Sequence, residues 1–278
     1  MSSAQGPSGP DVTAAAVPTA AHDVTAAAVP AGGRDATLES LQRQLDQARA
    51  ELQEFTYAVS HDLRAPLRHI SAFALIIEED LPDLPVDIAG HLATIRQSAH
   101  LLTQQLDGLA SLSRLGLQAV HLQPTSSALL VAEVIDELVQ KYPQRALQWQ
   151  IAPDLPMLMA DASLLRQVIA NLLENACKFT KARQPAQISV SWAPLAGGLC
   201  ALTVQDNGVG FLPRQAGQLF KVFARLHPVR EFEGLGLGLV QCRKMMDRMG
   251  GSIRIAAVAD GGCQVSLTLP MADGGVPS

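Results

Sequence analysis

The sequence lacks the features that define several classes of protein. Its four cysteines lie far apart, without the close spacing of a metal site, and they predict free thiols in a reducing compartment. The net charge is −5 rather than positive, which argues against a broad nucleic-acid surface. No apolar run approaches the ~20 residues that a membrane span requires. No lysine or arginine precedes Arg34, unlike a secretory signal, so we expect a cytoplasmic protein.

The N-terminal segment, residues 1–36, is dominated by small residues and proline. The octapeptide DVTAAAVP occurs in it twice, at 11–18 and at 23–30. So little apolar bulk cannot offset the conformational entropy of the chain. The segment therefore predicts a disordered low-complexity tail, to which we assign no function.

A heptad pattern begins at Leu38 and predicts a helical hairpin over residues 37–118. With Leu38 at position a, Val59 also falls at a, whereas His61 falls at c and points away from the seam. Prolines in LPDLPVD (81–87) end this helix, and a second amphipathic helix is predicted over 88–116. Because such a hairpin cannot bury both apolar faces alone, we expect a homodimer with a four-helix bundle. The seam consists of Leu38, Leu41, Leu45, Ala48, Leu52, Phe55 and Val59.

Residues 119–273 predict a two-layer α/β domain, with a linker near 118–125. Helical patterns at 126–140, 161–179 and 236–249 alternate with short strand-like runs. These runs are LQWQI, QISVSW, LCALTVQ, SIRIAAV and CQVSLTL.

One predicted helix carries a polar stripe. Asn171, Asn175 and Lys178 are spaced i, i+4, i+7 behind Asp161, the expected N-cap. Amide oxygens suit Mg²⁺, and a lysine suits a phosphate group. Taken alone, the stripe is more typical of a solvated polar face.

Two glycine-containing segments follow. Asp206 opens DNGVG directly after a predicted strand. A carboxylate at this place can accept a hydrogen bond from the amine of adenine. Taken alone, DNG is explained equally well by an Asx-type turn. Gly208 and Gly210 allow close approach of a ligand to the backbone. Further on, GLGLGL precedes a predicted helix, whose first N–H groups favour phosphate. A flexible hinge fits this segment equally well, and it matches neither the dinucleotide fingerprint nor a P-loop.

Together, in this order, the motifs resemble those of bacterial sensor histidine kinases, most closely the kinase modules associated with phytochromes. Two segments, FTYAVSHDLRAPLRHISAF and FARLHPVREFEGLGLGL, most resemble the kinase modules associated with phytochromes. His61, Asp62 and Pro66 resemble the H box. Asn171–Thr180 resembles the N box, Asp206–Gly210 the G1 box, Phe220 and Phe223 the F box, and Gly234–Leu239 the G2 box.

The resemblance implies an α/β sandwich that binds ATP with Mg²⁺, as in gyrase, mismatch-repair and heat-shock ATPases. Asn175, together with Asn171, would hold Mg²⁺. Lys178 would contact the phosphates, and Asp206 would accept a hydrogen bond from adenine. Segment 224–238 would form a lid. The other implied nucleotide-binding residues are Gly208, Gly210, Phe220, Phe223, Arg225, Arg230, Gly234, Gly236, Gly238 and Leu239.

These assignments predict a protein-histidine kinase. Neutral His61 would attack the γ-phosphate with Asp62 as general base, and the phosphoryl group would then pass to an aspartate of a response regulator. Pro66 predicts a bend near the acceptor. The alternatives are a non-enzymatic dimeric scaffold with a nucleotide-binding module, and an ATPase or Ser/Thr kinase, for which His61 would have no purpose.

Two departures from the family pattern matter. Ala65 stands four residues after His61, where members that also dephosphorylate their partner often carry Thr or Asn, so we expect weak or no phosphatase activity. We expect no sensor domain ahead of the heptad helix, and therefore expect either that a separate sensor protein supplies the input or that the kinase acts constitutively.

Overall fold

The computed structural model describes residues 31–116, 118–228, 230–258 and 261–272. Most of the predicted N-terminal tail, including both copies of its repeat, lies outside these residues. The chain divides into two compact units, Met1–Ala48 and Arg49–Ser278. In the described part of the first unit the backbone is helical from Ala31, so the helix begins before the predicted boundary at 37. A helix can start ahead of its first apolar contact, which is all that the heptad pattern locates.

The predicted helical hairpin is confirmed. Helix α1 spans Ala31–Asp80 and helix α2 spans Val86–Arg114, on either side of the proline-containing connection. The helix assignment continues through Pro66, and the predicted bend there stays a prediction. Polar contacts between α1 and α2 include the Arg64–Asp107 and Arg96–Glu78 ion pairs and a hydrogen bond from Ser113 Oγ to the Gln53 carbonyl.

Much of the hairpin's apolar surface is exposed in the single chain. The side chains of Leu52 and Phe55 are each 66% exposed, and that of Phe73 is 64% exposed. Removing such side chains from water is favourable, at about 25 cal/mol per Å² of apolar surface. This surface fits the expected pairing with a second copy, which stays a prediction.

The two-layer α/β domain is also confirmed, with all five predicted strands and all three predicted helices present. The strands of its main sheet are β2 Leu147–Ile151, β4 Ala186–Leu195, β5 Leu199–Asp206, β6 Ser252–Ala257 and β7 Cys263–Pro270; the helices are α3 Ser127–Lys141, α4 Ala162–Phe179 and α5 Gly238–Arg248. This five-stranded sheet has the order β2-β4-β5-β7-β6, with β2 and β4 parallel and the other neighbours antiparallel. Helices α3, α4 and α5 form the second layer.

The predicted linker at 118–125 is partly wrong. Strand β1, Gln123–Ser126, pairs antiparallel with β3, Met157–Ala160, in a separate two-stranded sheet. Four-residue strands carry almost no periodic signal in a sequence. Tertiary hydrogen bonds stabilise this pair, since Thr125 Oγ1 donates to the Ala160 carbonyl at 3.1 Å.

Burial of the apolar face of α4 determines which of its residues face outward. Val168, Leu172 and Leu173 are all at most 2% exposed against the sheet and the neighbouring helices. The intervening polar positions, including Asn171 and Asn175, are therefore left on the opposite side of the helix. Cys177, Cys200 and Cys242 are buried and free, and Cys263 is free and half-buried.

The C-terminal end of α2 packs on helix α5. Lys244 Nζ donates to the Leu112 carbonyl at 2.8 Å, and Arg248 donates to the carbonyls of Leu115 and Gln118. Leu115 belongs to the core of the α/β domain. Basic side chains thus satisfy carbonyl groups that the end of a helix leaves without intrahelical partners.

Candidate active site

A cavity of about 1220 Å³ lies between α4, the end of the sheet, the segment after β5, and α2. It is large enough to hold a nucleotide triphosphate. Its walls include eleven of the residues predicted from the sequence: Asn171, Asn175, Lys178, Asp206, Gly210, Arg225, Arg230, Gly234, Gly236, Gly238 and Leu239.

The N-terminus of α4 is fixed by the predicted cap. Asp161 Oδ1 accepts hydrogen bonds from the N–H groups of Ser163 and Leu164, and its Oδ2 accepts from His121 N–H. Burial by itself would raise the pKa of Asp161, but these hydrogen bonds hold the pKa below its ordinary value. The cap therefore sets the position at which the polar stripe of α4 begins.

The glycine-rich segment lies against this stripe. A Cβ added at Gly238 would lie 3.1 Å from Asn171 Oδ1 and 3.8 Å from Asn175 Nδ2. A Cβ added at Gly234 would lie 3.3 Å from Lys178 Nζ. The structure thus brings two motifs, separated by about sixty residues in the sequence, to one end of the cavity.

Several surrounding groups change the pKa of Lys178 in opposite directions. Burial lowers the pKa of Lys178 below its ordinary value, and the nearby Arg225 charge lowers it further. Glu174 and Glu233 oppose this change, so the pKa of Lys178 is set by charges of both signs. A phosphate group at this place would supply the negative charge that a buried ammonium favours.

Asp206 is buried at the end of β5, with 8% of its surface exposed. Burial raises the pKa of Asp206 to about 6, while hydrogen bonds from the N–H groups of Gly208 and Cys263 act in the opposite direction. The Gly208 N–H donates to Oδ1 at 2.8 Å. The carboxylate is therefore held at a fixed place in the cavity wall, where it can accept from an amine.

Gly236 and Gly208 show why this region requires glycine. Gly236 has φ +71°, and a Cβ there would lie 2.5 Å from the Ala224 carbonyl oxygen. A Cβ at Gly208 would lie 2.6 Å from the Phe179 carbonyl oxygen. Close backbone approach, rather than general flexibility, is what these glycines provide.

Three predicted residues do not line the cavity: Gly208, Phe220 and Phe223. The ring of Phe220 lies under the Arg243 guanidinium, 3.8 Å from its carbon, and packs against the core. Phe223 adopts φ +62°, a conformation that is unusual for a residue other than glycine. Phe220 therefore packs with the core, and the backbone of Phe223 borders the lid segment at Gly236.

The two predicted arginines differ in their surroundings. Arg225 donates to the carbonyls of Phe232 and Gly234, and so links the beginning of the lid segment to its later residues. Arg230 lines the cavity with an exposed side chain. Arg225 thus stabilises the lid backbone in this structure, and the expected phosphate contacts of both arginines stay predictions.

Several cavity residues were not predicted from the sequence. The rings of Phe179, His227 and Phe232 pack together, with centroids 5.1 to 5.8 Å apart, and His227 Nε2 lies 3.0 Å from the Gly210 carbonyl oxygen. Phe179 directly follows Lys178 in the sequence, so Phe179 could have been considered as a cavity residue. The sequence gives no comparable signal for the contribution of α2, which consists of Gln104, Asp107 and Gly108.

The histidine that the sequence predicts as the acceptor, His61, lies on α1 with an exposed side chain. His61 Nδ1 lies 3.3 Å from Asp62 Oδ1, and the two side chains are 67% and 82% exposed. With its proton on Nδ1, the ring can donate to Asp62 and present the Nε2 lone pair to a substrate.

The donors in the cavity fit a magnesium ion bound together with a polyphosphate. Within the described residues, no group of three or more His, Cys, Asp or Glu side chains could hold a metal alone. Asn171 and Asn175 provide hard amide oxygens on one helical face, and Mg²⁺ takes most of its remaining ligands from phosphate and water.

The fold and this cavity define a class of protein in which a histidine-bearing helical hairpin precedes an ATP-binding α/β domain. Residues 51–118 match the His Kinase A (phospho-acceptor) domain. Residues 160–273 match the histidine kinase-, DNA gyrase B- and HSP90-like ATPase family. The chain belongs to the sensor histidine kinases. No helix in the described parts of the chain has both the length and the apolarity to cross a membrane.

Curated relatives include kinases of the kind that the sequence resembles. The methanogenesis regulatory histidine kinase FilI of Methanothrix harundinacea is 32% identical over 82% of this chain. Cyanobacterial phytochrome A of Nostoc is 28% identical over 84% of the chain, and the phytochrome-like protein Cph1 of Synechocystis is 27% identical over 84%. The chain spans 25% of the first relative, 30% of the second and 31% of the third.

Solved structures support the fold. Full-length ShkA in complex with AMPPNP has a TM-score of 0.57 and 24% identity, with 81% of this chain and 47% of that chain covered. The Acinetobacter baumannii histidine kinase AdeS has a TM-score of 0.50 and 17% identity, with 77% of this chain and 98% of that chain covered. At these identities the likeness shows the architecture alone.

Proposed function

We propose that this chain is an ATP-dependent protein-histidine kinase that phosphorylates its own His61. One observation carries the proposal: an exposed histidine with an adjacent carboxylate precedes an ATP-binding domain whose amide, lysine and aspartate motifs converge on one large cavity. A scaffold that only binds nucleotide would account for the cavity, but it would have no use for an exposed histidine beside a carboxylate.

In the proposed reaction, His61 Nε2 attacks the γ-phosphorus of ATP. The new N–P bond forms while the bond from phosphorus to the β–γ bridging oxygen breaks, and its electron pair leaves with ADP. The proton on Nδ1 passes to the Asp62 carboxylate, 3.3 Å away. Asp62 therefore prevents positive charge from accumulating on the phosphorylated ring.

The cavity residues position and neutralise the nucleotide. Asp206 accepts from the adenine amine, and Lys178 binds the phosphates beside the glycine-rich segment. Asn171 and Asn175 would hold Mg²⁺, which neutralises phosphate charge when bound. Because phosphoryl transfer depends mainly on positioning and electrostatics, these residues account for most of the expected rate enhancement.

Incubation of the chain with γ-labelled ATP and Mg²⁺ tests this proposal. We expect a label that is stable in base and labile in acid, as an N–P bond is, and that is absent from His61→Gln. The exposed His69, on the same helix, provides a matched control, and His69→Gln should be labelled normally. Labelling of His61→Gln at the wild-type rate would contradict the assignment.

We further propose a homodimer that passes the phosphoryl group to an aspartate in the receiver domain of a response regulator. Exposure of His61 on α1 and the apolar surface of the hairpin support this part of the proposal.

Phosphatase activity toward that regulator should be weak, because the methyl group of Ala65 cannot position a water molecule. We expect Ala65→Asn to increase the rate at which phosphoregulator is dephosphorylated, measured with ADP present and the regulator already phosphorylated. Rapid dephosphorylation by the unmodified chain would contradict the expectation.

A further inference from the structure

An ion pair connects the acceptor helix to the wall of the nucleotide cavity. Arg64 follows His61 by three residues, and its Nε and Nη2 donate to Asp107 Oδ1 at 3.2 and 2.8 Å. Asp107 lies on α2 and lines the cavity. Residues three apart on a helix are neighbours on its surface, so Arg64 is a neighbour of His61 on α1 and is also bonded to a residue of the cavity wall.

Asp107 lies at the end of the cavity where the phosphates are proposed to bind. A Cβ added to the adjacent Gly108 would collide with Leu237 Cδ1, so the glycine-rich segment packs directly on α2 here. The next residue of that segment, Gly238, lies against Asn171. Asp107, the glycine-rich segment and the amide stripe therefore meet at one end.

The pair is arranged so that Arg64 can exchange its partner. Both of its hydrogen bonds go to a single oxygen, and they use two of the five N–H donors of a guanidinium. The side chains are 32% and 55% exposed, and ion pairs this exposed contribute little free energy. A phosphoryl group with its greater negative charge can compete for the guanidinium with a single carboxylate.

We propose that Arg64 is a further catalytic residue of the reaction described above, and the inference rests on that proposed function. Its guanidinium binds the γ-phosphoryl oxygens while the group passes from ADP to His61 Nε2. Arg64 neither gains nor loses a proton, and the bonds made and broken are those already given. Asp107 is a positioning residue that holds the guanidinium at the cavity wall before ATP arrives.

The proposal explains how charge is neutralised on both sides of the transferring group. Lys178 approaches the phosphates from α4. Arg64 approaches from the acceptor helix, toward the equatorial oxygens over which the negative charge of the transferring group is spread. A residue acting at this stage lowers the barrier more than it strengthens the binding of ATP.

The test compares initial rates of His61 labelling in Arg64→Ala, Arg64→Lys, Asp107→Asn and the double variant Arg64→Ala/Asp107→Asn. Arg96→Ala is the control, because Arg96 also joins α1 to α2 through a carboxylate, Glu78. Binding of a fluorescent ATP analogue checks that the cavity is intact in each variant.

We expect Arg64→Ala to lower the rate at saturating Mg·ATP by about a hundredfold, with the KM for ATP changed by no more than about threefold. Arg64→Lys should restore part of the rate, and Asp107→Asn should lower it only a few-fold. The double variant should match Arg64→Ala, and Arg96→Ala should match the wild type.

Two results would overturn this inference and leave the proposed function intact. One is a normal rate of His61 labelling in Arg64→Ala beside a labelled wild type. The other is an equal loss of rate in Arg64→Ala, Asp107→Asn and Arg96→Ala, which would indicate a structural ion pair. A loss confined to KM would also count against a role in the transfer step. A wild-type chain that takes up no label would instead overturn the proposed function itself.

Discussion

At the scale of single residues, the proposed contact of Asp206 with adenine would connect protonation to nucleotide binding. Its carboxyl is buried, and two backbone N–H groups compensate only in part, which leaves its pKa at about 6. An ionised carboxylate accepts from the adenine amine, whereas the protonated form has lost much of this capacity. The site is thus expected to respond to pH just below neutrality.

Nucleotide affinity should decrease as the pH falls through about 6, because the ionised fraction of Asp206 falls with it. About one pH unit below the pKa, only about a tenth of the carboxyl is ionised, so the Kd for ATP should rise on the order of tenfold. Calorimetric titrations from about pH 8 to about pH 5 measure this change. Asp206→Asn should bind weakly at every pH, and a wild-type Kd that stays constant across the range would contradict the assignment.

The same burial should destabilise the ligand-free fold. Because the pKa of Asp206 is higher in the folded chain than the ordinary 3.8, the folded state binds more protons between those values. Stability therefore falls as the pH rises from about 4 to about 6, by about 3 kcal/mol when the carboxyl is fully ionised. Asp206→Asn should raise the free energy of unfolding at pH 7 by about 2 kcal/mol in urea titrations. A lower stability of this variant would show that its hydrogen bonds outweigh the cost of burial.

At the scale of elements, the lid depends on a backbone conformation that only glycine adopts without strain. Gly236 combines φ +71° with the approach of the Ala224 carbonyl oxygen. Gly250, after α5, has φ +73° but open space around its Cβ position. The two glycines share the same strain and differ in their steric surroundings.

Gly236→Ala should weaken ATP binding about tenfold, because the lid must move to accommodate the methyl group. Gly250→Ala should lower stability by about 1 kcal/mol through the left-handed conformation alone and leave the Kd for ATP unchanged. Parallel binding and unfolding measurements on the two variants test this difference. Equal effects on the Kd would mean that the lid conformation does not influence binding.

Sequence periodicity predicted the elements of the fold well where they bury a regular apolar face. Helix α4 shows this, because its cap at Asp161 and its buried face both follow from local rules. Strands β1 and β3 were missed because four residues are too few to show a period. The contribution of Asp107 to the cavity could not be predicted, since it arises only when α2 packs against the glycine-rich segment.

At the scale of the whole molecule, the hairpin and the ATP-binding domain form one connected unit from Arg49 onward. Helix α5 binds the end of α2 through Lys244 and Arg248, and the cavity is completed by α2. Helix α1, with its proposed acceptor histidine, and the proposed nucleotide site are therefore connected through contacts within a single chain. The exposed apolar side of the hairpin remains available for a second copy.

Replacing Phe73 by Glu should shift the chain from dimer to monomer, because a charge would then lie in the expected bundle core. Sedimentation velocity at matched concentrations measures the change. Leu212→Glu is the control, since Leu212 is 52% exposed outside the hairpin and should leave the dimer intact. A monomeric wild type, or a dimer unaffected by Phe73→Glu, would contradict the predicted bundle.

The central claim is that the imidazole of His61 becomes phosphorylated by ATP. Phosphorus NMR of the chain after incubation with Mg·ATP and removal of nucleotide observes the product directly. We predict a phosphoramidate resonance that disappears on acid treatment and is missing from His61→Gln. A spectrum without this resonance, from a chain that demonstrably binds ATP, would contradict the account.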